Sequence, residues 1–287
     1  MNNIPTAKFK VFNDFENASN YVKKNNGPFV IKADGLAEGK GVSIETSKEN
    51  AIKTIKNMFN GKFGISGRTI LIEEFLTGTE VSFFVLTDGE TILPLGSAQD
   101  YKKAFDNDKG PNTGGMGAFS PSPIFDKDLE AKTINKIIKP TLEHLKKNNI
   151  KYCGILYAGL IIKDKEPKLI EYNVRFGDPE CQVILMRIGA QILDLFLDCT
   201  SKNLKYSKVN LIDNYTINVV IASDGYPKDY EKGKEIYNLQ ELDNLGNIQV
   251  FHAGTKEING KVFSNGGRVL NICARAKTLS KARNLVY

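Results

Sequence analysis

Twelve consecutive residues offer the densest chemistry in the sequence: Glu171, Tyr172, Asn173, Val174, Arg175, Phe176, Gly177, Asp178, Pro179, Glu180, Cys181 and Gln182, following the apolar Leu169 and Ile170. In a strand, Glu171 and Asn173 share a face, about 6–7 Å apart. Two hard oxygen donors side by side at a strand end can hold one or two Mg²⁺ ions. Arg175 continues the alternation, and its guanidinium can clamp a phosphate or a carboxylate. The plainer alternative is a polar sheet edge that turns into an N-capped helix.

Other stretches supply something for such a site to act on. Lys32 ends the apolar run Phe29-Val30-Ile31, where a lysine can meet a nucleotide phosphate as a point charge. The glycine-rich loop from Gly35 to Gly41 fails as a P-loop. Its spacing from Gly35 to Gly39-Lys40 is one residue short, and Gly41 stands where Ser or Thr is required. Two readings remain open: a hairpin tip whose amides and Lys40 fold over phosphates, or an ordinary glycine turn. Glu73-Glu74-Phe75-Leu76 closes another apolar strand, and its backbone can pair with an adenine edge. Glu80, just beyond, can accept from ribose hydroxyls, or Glu73 to Glu80 is simply a charged strand end. Together these describe a nucleotide between two lobes, with phosphoryl transfer driven by positioning and electrostatics.

Several other chemistries find little support. His144 and His252 stand alone, and no Ser or Cys sits in a Gly-x-Ser-x-Gly context, which disfavours a His relay and hydrolase chemistry. Cys153, Cys181, Cys199 and Cys273 form no Cys-x-x-Cys pair, which argues against a zinc knuckle and fits a reducing cytoplasm. The net charge of +6 comes from lysines interspersed with acids, without a basic patch carrying aromatics, so no nucleic-acid partner is expected. No apolar run reaches the roughly 18–20 residues of a membrane span, and Met1 to Thr6 lack a signal-peptide pattern, so no membrane association is expected.

The elements that must position these residues follow from periodicity. Helices are expected over 14–26, from the Thr46–Glu49 capping motif to Phe59, over 126–148 with Pro140 kinking or dividing it, and over 183–199. Strands are expected at 28–31, 42–44, 69–75, 80–86, 90–95, 154–162 and 167–173, and residues 100–123 read as a long loop, functional or disordered. Residues 1–200 form one expected domain, with a small lobe at about 27–75 and a large lobe at about 76–200. A polar linker at 201–213 and a small, mainly β domain at 214–287 follow, the latter ending in a helix from Thr278.

The run from Arg175 to Gln182 resembles the signature of the phosphoribosylamine–glycine ligase family of ATP-grasp enzymes. Similar stretches are Val30 to Ala37 with Gly39-Lys40-Gly41, Glu73 to Leu76, Gln99-Asp100, Gly110 to Ala118, Leu156 to Leu160 and Asn265 to Leu270. The match runs nearly end to end. The resemblance implies an α+β ATP-grasp fold, two lobes clasping ATP, followed by the small C-terminal β domain. It implies ligation of glycine to 5-phosphoribosylamine at the expense of ATP, through a glycyl phosphate, in purine synthesis. By position, Glu171 and Asn173 become ligands of Mg²⁺ or Mn²⁺, and Arg175 stabilises the phosphate in transfer. Lys32 and the Gly39, Lys40 and Gly41 loop contact ATP, the Glu73, Glu74, Phe75 and Leu76 backbone holds adenine, and Glu80 the ribose. Asp178 and Glu180, catalytic residues with Arg175 under the resemblance, border the pocket for the other two substrates together with the substrate-binding Gly114, Gly115 and Gln182. The implied partners are these small molecules, with fusion to, or joint action with, other purine-pathway enzymes open. The remaining alternatives are another ATP-grasp carboxylate–amine ligase and a non-catalytic ATP-binding module. Family members carry a further N-terminal α/β domain and a longer C-terminal one, so the expectation is a fragment.

Overall fold

A computed structural model describes residues 3–35, 37, 41–107, 109–242 and 245–287 of the protein. They fold as two compact units, Pro5–Gly78 and a larger one from Thr79 to Tyr287 that also takes in Ile4.

In the smaller unit, β1 (Phe9–Phe12), β2 (Phe29–Ala33), β3 (Val42–Glu45) and β4 (Ile70–Glu74) form an antiparallel sheet in the order β1-β4-β2-β3. Two helices cover it, α1 (Phe15–Lys24) and α2 (Lys48–Asn57). Each starts on a side-chain cap: Asp14 accepts from the Asn17 amide at 2.8 Å, and Ser47 from the Asn50 amide at 3.2 Å. Ser47 therefore caps α2 without a reciprocal Glu. Ala18, Val22, Ile31, Ala51, Ile55, Ile70 and Ile72 make the core between helices and sheet. Because β1 pairs with β4, this unit reaches back well before residue 27, where the small lobe was expected to begin.

In the larger unit, the long strands are β5 (Thr79–Thr87), β6 (Ile92–Asp100), β10 (Gly154–Lys163) and β11 (Glu166–Asn173). Residues 100–123, expected as loop, contain a short ribbon of β7 (Lys103–Phe105) and β8 (Lys109–Asn112), then the buried strand β9 (Gly117–Ser120). The small residues of β9 carry no strong strand signal, but tertiary pairing with β6 on one side fixes it there. On its other side β9 pairs with β12 (Tyr215–Ala222), which leads to β17 (Arg268–Ala276) and β14 (Ile248–His252). The strands beyond 213 thus extend one eight-stranded sheet of the described residues, ordered β11-β10-β5-β6-β9-β12-β17-β14. A separate three-stranded sheet joins β13 (Glu235–Ile236), β15 (Thr255–Ile258) and β16 (Lys261–Ser264).

Strands β5 and β10 are buried on both faces, since alternate residues enter two cores. Phe83 and Val85 pack with Leu129, Ile137 and Leu142 of α3 (Lys127–Thr133), α4 (Lys139–Lys147) and the π-helical stretch between them. Phe84 and Leu86 pack with Val183, Ile184 and Leu195 of α5 (Glu180–Ile188) and α6 (Ile192–Thr200). Each such Phe contributes about 1.5–3 kcal/mol of burial. Pro140 neither breaks nor sharply ends its helix. A five-residue π-helical stretch, Ile134–Ile138, precedes it, and the Ile137 carbonyl accepts from the hydroxyls of Thr141 at 2.8 Å and Tyr172 at 3.3 Å. The chain ends in α7 (Leu279–Val286), capped by Thr278. No helix among the described residues is long and apolar enough to cross a membrane.

Candidate active site

Alternation along neighbouring strands builds the site. On β5, Leu86 and Phe84 face the α5–α6 core, and the same face continues through Ser82 to Glu80. Ser82 stands opposite Ala98 on β6 and Gly159 on β10, and Gly159 stands opposite Glu171 on β11. One sheet face therefore grades from apolar to polar: Asn173 stands opposite Tyr157 in the row of Phe84, Glu171 lies in the row of Ser82, and Glu80 and Asp100 lie two residues further along their strands. A register slip between Gly159 and Leu160 makes Ile170 the extra residue of β11, just before Glu171.

Glu171 is exposed, and Asn173 Nδ2 donates to Glu171 Oε1 at 3.2 Å, which aims both side chains at one spot. Carboxylate and amide oxygens suit a hard divalent cation, and Mg²⁺ commonly takes one or two protein donors and completes its shell with phosphate oxygens and water. Among the described residues no group of three or more His, Cys, Asp or Glu is arranged to hold a metal by itself, so this two-donor set depends on such a shared shell. Arg175 is exposed, and its Nη1 donates to the Phe176 carbonyl at 2.7 Å.

Next to these donors lies a charge cluster that the sequence did not assemble. Lys102 pairs with Glu80 and lies 3.9 Å from Asp100. Burial pushes the Asp100 carboxyl up to about 7; Lys102 works against this, and the charges of Glu180 and Glu80 add to it. Burial also opposes the charge on Lys102, but Asp100 and Glu80 outweigh it and raise that pKa. Glu80, expected to hold a ribose, is thus engaged by Lys102.

Asp178, Glu180 and Gln182 are held differently. Glu180 is 3% exposed, and its Oε1 accepts from Ser82 Oγ and Tyr157 Oη, both at 3.1 Å. The Tyr157 hydroxyl is pushed far up, first by burial and then by the Glu180 charge. Gly177 lies over this carboxylate so closely that a Cβ would stand 2.3 Å from Glu180 Oε2. Asp178 Oδ1 accepts from Gln182 Nε2 and Oδ2 from Arg268 Nη2, both at 2.9 Å. Arg268 Nη1 also donates to the carbonyls of Gly114 at 2.6 Å and Asp178 at 2.8 Å, and the Gly114 amide donates to Tyr226 Oη at 3.0 Å. Gly115 has φ of +112° and would bring a Cβ within 2.4 Å of Pro179 Cδ, so only glycine lets the two loops meet. The structure therefore joins Gly114 and Gly115 to Asp178 and Gln182, and adds Lys102, Ser82, Tyr157, Tyr226 and Arg268, none of which was singled out individually from the sequence.

In the smaller unit, Lys32 pairs with Glu73 at 2.7 Å, diagonally across the β2–β4 register. The Glu74 amide donates to the Lys8 carbonyl at 2.9 Å, and the Lys8 amide to Glu74 Oε1 at 3.1 Å, so both groups of Glu74 are engaged by the chain entering β1. Phe75 is exposed and Leu76 half-buried. Gly41 is buried, and its carbonyl accepts from the Ala33 amide at 2.9 Å. Gly39 and Lys40 lie outside the described residues.

Residues 1–181 match the family model of the phosphoribosylglycinamide synthetase ATP-grasp (A) domain, and residues 216–287 that of its C domain. The chain is 43% identical over 285 residues to the phosphoribosylamine–glycine ligase of Brucella melitensis, covering 99% of this chain and 67% of that protein. The crystal structure of phosphoribosylamine–glycine ligase from Thermotoga maritima is 37% identical with a TM-score of 0.89, covering 100% of this chain and 71% of that one. The biotin carboxylase domain of a 2-oxoglutarate carboxylase from Hydrogenobacter thermophilus, solved with MgADP and bicarbonate, shares the fold at 19% identity and a TM-score of 0.70, covering 99% of this chain and 61% of that one. The chain spans about two thirds of the length of its bacterial ligase relatives.

Proposed function

Because the chain belongs to the phosphoribosylamine–glycine ligase family, an ATP-grasp family of purine synthesis, we propose that it joins glycine to 5-phosphoribosylamine at the expense of ATP. The products are glycinamide ribonucleotide, ADP and phosphate. In this reading a glycine carboxylate oxygen bonds to the γ-phosphorus of ATP as the bond to ADP breaks. The amine nitrogen of phosphoribosylamine then attacks the acyl carbon, releasing phosphate and one proton.

The observation that carries the reading is the polar end of the β5–β6–β10–β11 face, where Asn173 Nδ2 bonds Glu171 and the Glu171 charge acts on Lys102. Glu171 and Asn173 would hold Mg²⁺ or Mn²⁺, which supplies neutralising charge to the ATP phosphates. The exposed Arg175 guanidinium can add charge-assisted hydrogen bonds to the phosphoryl oxygens in transfer. Lys32, in the smaller unit, is read as a nucleotide contact, with Glu73 holding its ammonium in place. Carboxylates near the ammonium end of glycine attract it, a role open to Asp100 once ionised.

The test is ADP release by the protein in Mg²⁺ with ATP, omitting glycine and phosphoribosylamine in turn. Release that requires both, together with formation of the amide product, is the expected result. Release indifferent to either substrate sinks the assignment.

A further inference from the structure

We propose that Arg268 is a positioning residue that holds the Gly114–Gly115 loop against the Asp178–Pro179 turn, and that Asp178 serves as its anchor and not as an acid or base. This rests on the ligase reading above. Arg268 begins β17, yet its side chain reaches segments 154 and 90 residues away in sequence. Its guanidinium makes two 2.9 Å or shorter bonds to Asp178, one to the carbonyl and one to Oδ2, and a third of 2.6 Å to the Gly114 carbonyl. A weaker contact of 3.4 Å reaches the Gly115 carbonyl. A Cβ on Gly114 would stand 2.9 Å from Arg268 Cζ, so the planar group packs directly on the loop backbone.

The chemistry of the donors decides the role. A guanidinium offers five N–H groups in a fixed plane, so one side chain can serve three carbonyls and a carboxylate at once; an ammonium on a flexible stem cannot. Each Asp178 oxygen accepts one bond from the protein, from Arg268 or from Gln182, while the side chain stays 48% exposed. Tyr226 adds a second tie from the C-terminal part of the chain by accepting from the Gly114 amide, and Gly267 makes room for its ring, since a Cβ there would stand 2.3 Å from Tyr226 Cδ2. The C-terminal strands thus set the backbone that borders the proposed pocket for glycine and phosphoribosylamine. None of these contacts touches Glu171 or Asn173.

The experiment pairs steady-state kinetics with amide hydrogen exchange on the protein and its variants Arg268→Ala, Arg268→Lys and Asp178→Asn. Arg268→Ala is expected to raise KM for glycine or phosphoribosylamine about tenfold or more while KM for ATP stays within about threefold. Arg268→Lys should recover only part of the loss. Asp178→Asn keeps an acceptor for Arg268 and is expected to leave exchange across 113–116 within about threefold of the wild type. Exchange should rise in Arg268→Ala across 113–116 and leave β5 and β10 protected. Unchanged KM values in Arg268→Ala overturn the proposal, as does protection lost throughout β5 and β10. Abolished kcat with unchanged KM in Asp178→Asn makes that carboxylate chemical and overturns the anchor role. A wild-type protein without substrate-dependent ADP release counts against the ligase reading alone; the exchange data then still decide whether Arg268 holds the loop.

Discussion

Within the dozen residues from Glu171 to Gln182, two neighbouring regions treat their polar side chains in opposite ways. In the first, Glu171 and Arg175 are exposed, and their hydrogen bonds among the described residues stay within the run, to Asn173 and to the Phe176 carbonyl. In the second, the Glu180 carboxylate is buried and engaged by Ser82 and Tyr157, and both Asp178 oxygens are taken by protein donors. Phe176 divides them: its ring packs on Phe84 at a centroid distance of 5.6 Å and ties the run to the core. The difference teaches that residue type alone does not mark a ligand site. Open donors await a ligand, and satisfied ones shape the wall beside it.

The largest effect expected from this contrast is on stability. Glu180→Ala removes a buried acceptor shared by two hydroxyls and leaves a cavity, so it should cost about 3 kcal/mol in urea unfolding. Glu171→Ala should change stability by less than ~0.5 kcal/mol without ligand. Equal costs would erase the division between the two regions.

Ligand binding should invert that order. With Mg²⁺–ATP at about 100 times its Kd, the wild type should gain about 2.7 kcal/mol, read as a rise in Tm. Glu171→Ala should lose most of this gain, because the open region supplies the metal donors. A Glu171→Ala protein that Mg²⁺–ATP stabilises as fully as the wild type removes the nucleotide role from that region.

Asp100 gives a third and somewhat smaller test, since it lies on the same sheet face but is buried. Its folded pKa of about 7 is above the unfolded value of 3.8, so the protonated form favours the folded state. That contribution is fully present below about pH 4 and is lost as pH rises through 7. Between pH 5 and 7 the wild type should lose about 2 kcal/mol relative to Asp100→Asn, by denaturant unfolding without ligand. Parallel pH profiles would show that Asp100 ionises as freely as an exposed carboxylate.

Much of this was legible in the sequence where periodicity or capping is local. The strand ending at Asn173, the helix following Pro179 and the helix from Thr278 follow from short-range pattern, whereas the capping motif read from Thr46 to Glu49 is displaced by one residue to Ser47. The face carrying Ser82 was legible in principle, because Glu80, Ser82, Phe84 and Leu86 alternate along β5. The contacts of Lys102 and Arg268 were not, because no local pattern reports which distant backbone a long cation will reach. Strand β9 was hidden for a related reason: Gly117-Ala118-Phe119-Ser120 becomes a strand only between β6 and β12, which lie far apart in sequence. The same two-sided pairing carries the sheet across the segment 201–213, which composition alone presents as a boundary.

Arg175 should show the smallest stability effect and thereby draw the border between the regions most finely. Its guanidinium is exposed and its Nη1 bonds the carbonyl of its own neighbour, Phe176, a local contact of the kind usually worth little once water competes. Arg175→Ala should therefore shift unfolding by less than ~0.5 kcal/mol, while slowing the ATP-dependent reaction about 100-fold through the lost phosphate contact. Stability that falls by more than about 1 kcal/mol would place Arg175 with Glu180, as a side chain the fold itself needs. Unaltered stability together with unaltered rate would leave Glu171 and Asn173 as the whole of the open region, and would move the phosphoryl contact elsewhere.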